Sequence, residues 1–348
     1  MTILSFILWS LLKIIVVTVV MLLAIAYTVL LERKLVGRIQ NRWGPSRVGP
    51  FGLLQPLVDG AKSFLKEDLI PTAVYRPLYL IAPIISLGCA LISISVVPFG
   101  PSAMGPRGFD LFQISNINIG LLVILGITSI SVYGIALAGW SSNNKYSLLG
   151  ALRSSAQMIS YELALGLSLV GVVLRSGSLN LRDIVSQQSR LGFLTWNIFG
   201  GLQFLGFFVY IIAAFAETNR SPFDLPEAES ELTGGYHTEY SSMKFAMFFM
   251  AEYGNMINVG CVATLLFFGG WTGFFGDLMD PFQNAFLDAV LPLVFFVIKV
   301  FLFLSLYVWV RGTLPRFRYD QLMNFGWRVL LPLAIVNILG TSLWLAWR

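Results

Sequence analysis

Four stretches of this chain, Pro77–Pro106, Leu111–Asn144, Leu191–Ala216 and Tyr253–Gly276, contain no charged residue at all. A helix crosses the hydrocarbon core of a bilayer with about 20 mostly apolar residues. Soluble domains carry about a quarter charged residues. This chain has 12%, with 56% hydrophobic residues and a mean hydropathy of +0.76, too few charges to clothe a globule of 348 residues in water. Lipid is therefore its main solvent. Eight segments meet the 20-residue criterion, at about 8–31, 78–99, 118–139, 154–174, 193–216, 245–270, 288–310 and 328–347. The expected fold is an all-α polytopic membrane protein, with residues 1–348 forming one membrane domain and no internal repeat. Met1–Leu31 has neither a basic leader nor a small-residue cleavage site, so it reads as the first span and not as a signal peptide.

The basic residues set the sidedness. Fifteen Lys and Arg fall in the loops after spans 1, 3, 5 and 7, against five (Arg107, Arg175, Arg182, Arg190 and Arg348) on the opposite side. The positive-inside tendency places the first set inward, in the cytoplasm or an organelle's matrix. An even number of spans then puts both termini outside. The net charge of +5 thus reports topology and gives no reason to invoke nucleic acid. Within the first inner loop, Leu53, Leu54, Leu57, Val58, Ala61, Phe64 and Leu65 recur at helical spacing, while Gln55, Asp59, Lys62, Ser63, Lys66 and Glu67 fill the other face. This predicts an amphipathic helix at the membrane surface, with Pro56 in a first turn that tolerates it.

Four groups of residues carry chemistry, each with a plain structural alternative. Glu32-Arg33-Lys34, with Arg38 and Arg42, follows span 1 as any basic flank does, but it leads into the shaped turn Trp43–Pro50. Glu162 and Glu252 lie inside apolar spans, where a charge costs about 2.5 kcal/mol or more. They suit either a proton relay or a structural ion pair, for which Lys299 is a candidate cation. Lys13 near the outer end of span 1 snorkels and is given no role. The third group is an acid-rich loop on an otherwise basic face, with Glu217, Asp224, Glu227, Glu229, Glu231 and Glu239. Its Phe223, Leu225, Leu232, Tyr236 and Tyr240 argue against a freely solvated loop, and clustered carboxylates exchange protons more readily near neutral pH. The fourth, Arg311 with Pro315–Gln321, suits either counter-charge to that loop or one more positive-inside flank. Two isolated cysteines, Cys89 and Cys261, and one histidine, His237, exclude an iron–sulfur or zinc site built by this chain alone. Phosphate-loop and dinucleotide fingerprints are missing from the sequence.

Three of these motifs together resemble one family. Glu32-Arg33-Lys34 with Gly44-Pro45 and Gly49–Pro56, then Ala216–Arg220, Pro222–Leu225 and Glu229–Leu232, and finally Pro315–Met323, are similar to the membrane subunit of respiratory complex I that adjoins the quinone site. That protein is known as subunit 1 in mitochondria and as the H subunit in bacteria. The likeness runs from roughly Leu30 to Pro332. It implies a subunit of a proton-pumping NADH:quinone oxidoreductase that lines the quinone access tunnel at the junction with the peripheral arm. The same subunit couples quinone reduction to proton translocation through buried carboxylates. Quinone is then the substrate and this chain binds no cofactor, while NADH, FMN and the iron–sulfur clusters belong to partner subunits. The isolated chain performs no catalysis. Peripheral quinone-site subunits, antiporter-like membrane subunits and lipid are the implied partners.

Carried over by residue, Arg33, Arg38, Asp59, Phe223 and Phe249 border the quinone. Glu217, Asp224, Glu227, Glu229, Glu231 and Glu239 form the acidic loop. Glu162 and Glu252, with Lys299 nearby, lead into the membrane. Pro226 and the Trp-rich outer segments point to a bacterial inner membrane in preference to the mitochondrial one. Three rivals make different predictions. The membrane subunit of an energy-converting hydrogenase uses no quinone, a solute transporter predicts an inverted repeat, and a passive anchor predicts indifference to loss of Glu162 or Glu252.

Overall fold

The computed structural model describes residues 3–101, 110, 112–189, 192–224, 234–274 and 285–347. Among these residues the regular structure is helical, in eleven α-helices: α1 (Ile3–Ile39), α2 (Gln55–Leu65), α3 (Arg76–Ser93), α4 (Gly120–Ser141), α5 (Lys145–Ser176), α6 (Leu181–Gln188), α7 (Gln203–Glu217), α8 (Ser242–Phe267), α9 (Ala285–Thr313), α10 (Tyr319–Phe325) and α11 (Leu331–Ala346). Six helical stretches are long and apolar enough to cross a membrane: Ile7–Ile39, Arg76–Val96, Gly120–Ser141, Lys145–Ser176, Val290–Thr313 and Tyr319–Ala346.

The other two expected spans, 193–216 and 245–270, contain α7 and α8, which miss that criterion for different reasons. Within 193–216 the chain first makes short turns at Gly192–Thr195 and Asn197–Phe199 and becomes α-helical only at Gln203. Left-handed Gly192 (φ 66°) and Gly201 (φ 66°) bracket that irregular approach, leaving α7 short. α8 is long enough, but Glu252, Asn255 and Asn258 dilute its apolar character. It can carry them because it is solvated by protein, with Met256–Phe267 buried throughout. Asn258 Nδ2 donates to the Ala90 carbonyl at 2.8 Å and Ser93 Oγ at 2.5 Å, a polar tie between α8 and α3. α1 stands at the opposite extreme, with Leu8, Leu11, Ile15, Val16, Val19 and Val20 all exposed, as a lipid-facing helix requires.

Small residues set the helix spacing. A Cβ on Gly134 would meet Ser86 Oγ at 2.1 Å, and one on Gly139 would meet Ala151 Cβ at 2.2 Å, so α4 approaches both α3 and α5 backbone to backbone. α5 starts at Lys145, well before the expected 154, because Asn144 caps it by accepting from the Tyr146 N–H at 3.0 Å. It ends on left-handed Gly177 (φ 65°). α1 runs on past the expected 31 to Ile39, so Glu32, Arg33 and Arg38 ride on a rigid helical extension and not in a loop. The surface helix α2 forms where the amphipathic pattern predicts it, with Leu57, Val58, Phe64 and Leu65 exposed.

Candidate functional site

The site lies at the end of the bundle where α1, α7, α8 and α9 present their charged termini. α7 closes in a Schellman turn. Asn219 adopts the left-handed conformation (φ 50°), its N–H donating to the Ala216 carbonyl and the Arg220 N–H to the Phe215 carbonyl, both at 3.4 Å. Asparagine is among the few residues that accept this backbone. The reversal turns Arg220 inward, where it is 5% exposed. Gln157 of α5 fixes the segment from below, its Nε2 donating to the carbonyls of Ala216 at 2.8 Å and Phe223 at 2.9 Å.

Arg220 is the centre of a buried ionic network. Its Nε lies 2.8 Å from Glu252 Oε1 and its Nη1 3.6 Å from Glu32 Oε2. The guanidinium sits over the Tyr253 ring at 4.1 Å and the Phe249 ring at 5.8 Å. Glu32 also accepts from the Tyr253 hydroxyl at 2.7 Å and pairs with Arg311 of α9. Two carboxylates from α1 and α8 thus share two arginines from the loop after α7 and from α9. Arg316 Nη2 meets Asp224 Oδ2 at 3.1 Å, so the second basic segment does answer the acidic loop. Phe223 stacks on Phe317 (5.6 Å between centroids) and lies 5.9 Å from Tyr161.

Three cavities adjoin this network. Glu217 and Glu252 both line one of about 20 Å³, together with Ser86, Ser131 and Asn255, room for about one water. A second, of about 540 Å³, is bounded by Glu32, Arg33, Gln40, Arg42, Trp43 and Arg311. A third, of about 450 Å³ and almost wholly apolar, runs between α1, α8 and α9 past Val17, Met21, Thr28, Leu31, Phe296 and Leu304. Along α1 the apolar cleft reaches Leu31 and the polar cavity begins at Glu32.

The expected residues are therefore only partly brought together. Arg33 Nη1 pairs with Asp59 Oδ2 at 2.6 Å, fastening α2 to the rim of the polar cavity. Arg38 lies 4.9 Å over the exposed Trp43 ring. Phe249 flanks Arg220, but Phe223 faces Tyr161 and Phe317. Glu162, half-buried on α5, bonds to Ser129 of α4 within electrostatic reach of Glu217. Glu239 accepts from Asn144 Nδ2 at 2.7 Å. Nearby, burial pushes the Tyr240 phenol up to about 12, against the opposing hydrogen bond with Ser141. Glu227, Glu229 and Glu231 lie outside the described residues. Lys299 is not the partner of either buried glutamate. Its ammonium contacts the carbonyls of Phe268, Gly270 and Thr272 at 2.7, 2.9 and 2.8 Å and lies over Trp196 at 4.6 Å. The cation that meets Glu252 is Arg220, which sequence reasoning counted among the inward-side basic residues and in the Ala216–Arg220 motif without giving it a partner. Its one sequence signal was a lone arginine set between an apolar run and an acid cluster.

Fold and site together define a multi-pass, all-helical membrane protein with an ion-paired core at one end. A sequence profile of the NADH dehydrogenase family matches residues 12–342. An H subunit of the NADH-quinone oxidoreductase of Koribacter versatilis, numbered 2 in that organism, is 60% identical over 98% of each chain. The H subunit numbered 1 in Solibacter usitatus is 48% identical over 99% of this chain and 98% of its own, and the H subunit of Leptospira biflexa is 50% identical over 93% and 91%. The chain belongs to the H-subunit family of the NADH-quinone oxidoreductases.

Proposed function

We propose that this chain is the membrane subunit of a proton-pumping NADH:quinone oxidoreductase that lines the quinone access tunnel and links quinone reduction to proton movement. The observation that carries the reading is the position of the Glu32–Arg220–Glu252 network. On one side it borders a polar cavity whose size suits a small-molecule head group, since ligand cavities run from about 300 to 1,000 Å³. On the other, Glu252 shares its small cavity with Glu217. A quinone is an apolar tail on a polar ring, and along α1 the lining of the apolar cleft ends at Leu31 where that of the polar cavity starts at Glu32. Arg33, Arg38, Asp59 and Phe249 border the head-group region, and Phe223 supports the acidic loop from behind. Glu217, Glu252 and Glu162, with Ser129 beside it, form the proton path, while Asp224 and Glu239 anchor the two ends of the loop that carries Glu227, Glu229 and Glu231. Lys299 stands apart from this path.

α7 and α8 complete eight spans with both termini outside a bacterial inner membrane. The chain works beside peripheral quinone-site subunits and antiporter-like membrane subunits, with NADH, FMN and the iron–sulfur clusters held by partner subunits. Replacing Glu252 or Glu162 by Gln in the assembled complex should lower the protons moved per NADH oxidised several-fold with assembly retained. Unchanged pumping in both variants would leave the passive anchor as the better reading.

A further inference from the structure

The start of α8 is fastened to the tail of α2 by contacts that the ionic network does not use. The Ser242 hydroxyl lies 2.9 Å from the Ser63 carbonyl and 3.0 Å from that of Lys66, carbonyls at the C-terminal end of α2 that lack helical partners. Ser242 holds a left-handed backbone (φ 53°), a conformation serine keeps only where its surroundings hold it there. Beside it, Ser241 Oγ accepts from the Leu69 N–H at 3.0 Å and faces the Leu69 carbonyl at 3.2 Å. Lys244 Nζ meets Asp68 Oδ1 at 2.8 Å and lies 4.9 Å over the ring of Tyr79. That ring is wholly buried, stacks on Tyr240 at 4.2 Å, and donates its hydroxyl to the Glu239 carbonyl at 2.7 Å. Four side-chain ties thus converge on residues 239–244.

These ties close a circuit. Arg33 holds Asp59 of α2, and one helical turn later Ser63 is held by Ser242 of α8. Further along α8, roughly two to three turns on, stand Glu252 and Tyr253, which return through Arg220 and the Tyr253 hydroxyl to Glu32, the neighbour of Arg33. α2 and the first turns of α8 therefore form one lever whose far end is the buried Glu252.

We propose that Ser242 and Lys244 are positioning residues that transmit displacement of the Arg33–Asp59 pair at the polar cavity into α8 and so to Glu252. The inference rests on the coupling function proposed above. It assigns that function a mechanical route separate from the carboxylates themselves.

The test uses the assembled enzyme in native membranes, with Asp68→Asn, Lys244→Gln, Lys244→Arg, Ser242→Ala and Glu252→Gln. Quinone reduction rate, KM for a short-tail quinone and protons moved per NADH are measured at equal content of assembled complex. Lys244→Gln and Ser242→Ala should lower the proton ratio at least twofold with KM within about a factor of two of the parent. Lys244→Arg, which keeps the charge on Tyr79 and Asp68, should restore it. Asp68 is half-exposed on the surface, so Asp68→Asn folds even if the buried variants do not, and it should show the same direction of change. An unaltered proton ratio in Asp68→Asn and Lys244→Gln overturns the lever when Glu252→Gln does lower it. An unaltered ratio in all of them, Glu252→Gln included, overturns the coupling function itself.

Discussion

Removal of Arg220 tests the ionic network most directly. The side chains of Arg220 and Glu252 are 6% and 9% exposed, so neither has bulk water to fall back on. Deleting one member of a buried pair costs about 3–5 kcal/mol, because the other charge is left uncompensated. Glu32 keeps Arg311 and the Tyr253 hydroxyl in the variant, so the loss falls mainly on Glu252 and should lie at the low end, about 3 kcal/mol. At about 2 °C per kcal/mol for a chain of this size, the melting midpoint of purified Arg220→Met should drop by about 6 °C. The double variant Arg220→Met/Glu252→Gln removes both charges and should recover at least about 2 kcal/mol of that loss, the signature of direct coupling between neighbours. Arg220→Lys should be intermediate, since a single ammonium cannot fork between Glu32 and Glu252. Thermal unfolding of the purified complex across this cycle is the assay. A double variant as unstable as the sum of its parts would refute the pairing and, with it, the central place given to Arg220.

Lys299→Met should strip three carbonyls at the end of α8 of their donor. Each buried acceptor left unpaired costs about 1 kcal/mol or more, so assembled complex in the membrane should fall several-fold while the proton ratio of the survivors stays at the parent value. A lowered ratio would restore Lys299 to the proton path. Gly134→Val should block the close approach of α4 to Ser86 and abolish assembly, scored by subunit content on native gels. Asn219→Gly keeps the left-handed turn but loses the Asn219 Nδ2 bond to Ser154 Oγ at 3.1 Å. It should cost about 1 kcal/mol, measured by thermal unfolding, whereas Asn219→Val should cost distinctly more because a branched residue resists that backbone.

What the sequence disclosed and what it withheld follow from the range of each interaction. The spans were legible because hydropathy is a local sum, and α2 because its pattern repeats within one helix. The motif residues Glu32 and Arg33 were legible as a charged string, but their placement on a helix was not, since α1 outruns its apolar stretch. Pairings were beyond reach. Glu252 needed a cation, and the nearest apparent choice was the other intramembrane charge, Lys299. Yet a lysine can be satisfied by carbonyls, and the three that end α8 at Phe268, Gly270 and Thr272 come from a turn that no apolar periodicity reveals. Arg220 reaches Glu252 only because Asn219 reverses the chain at the end of α7, a single-residue event hidden inside an acidic motif. α8 carries the same lesson in its composition. Its polar Glu252, Asn255 and Asn258 lower its hydropathy below that of the lipid-facing helices because protein, not lipid, surrounds it. Where buried polar residues, and not a short helix, pull a span below the apolar criterion, they mark a helix enclosed by protein, where a buried charge can be paired, and so where coupling chemistry can be housed.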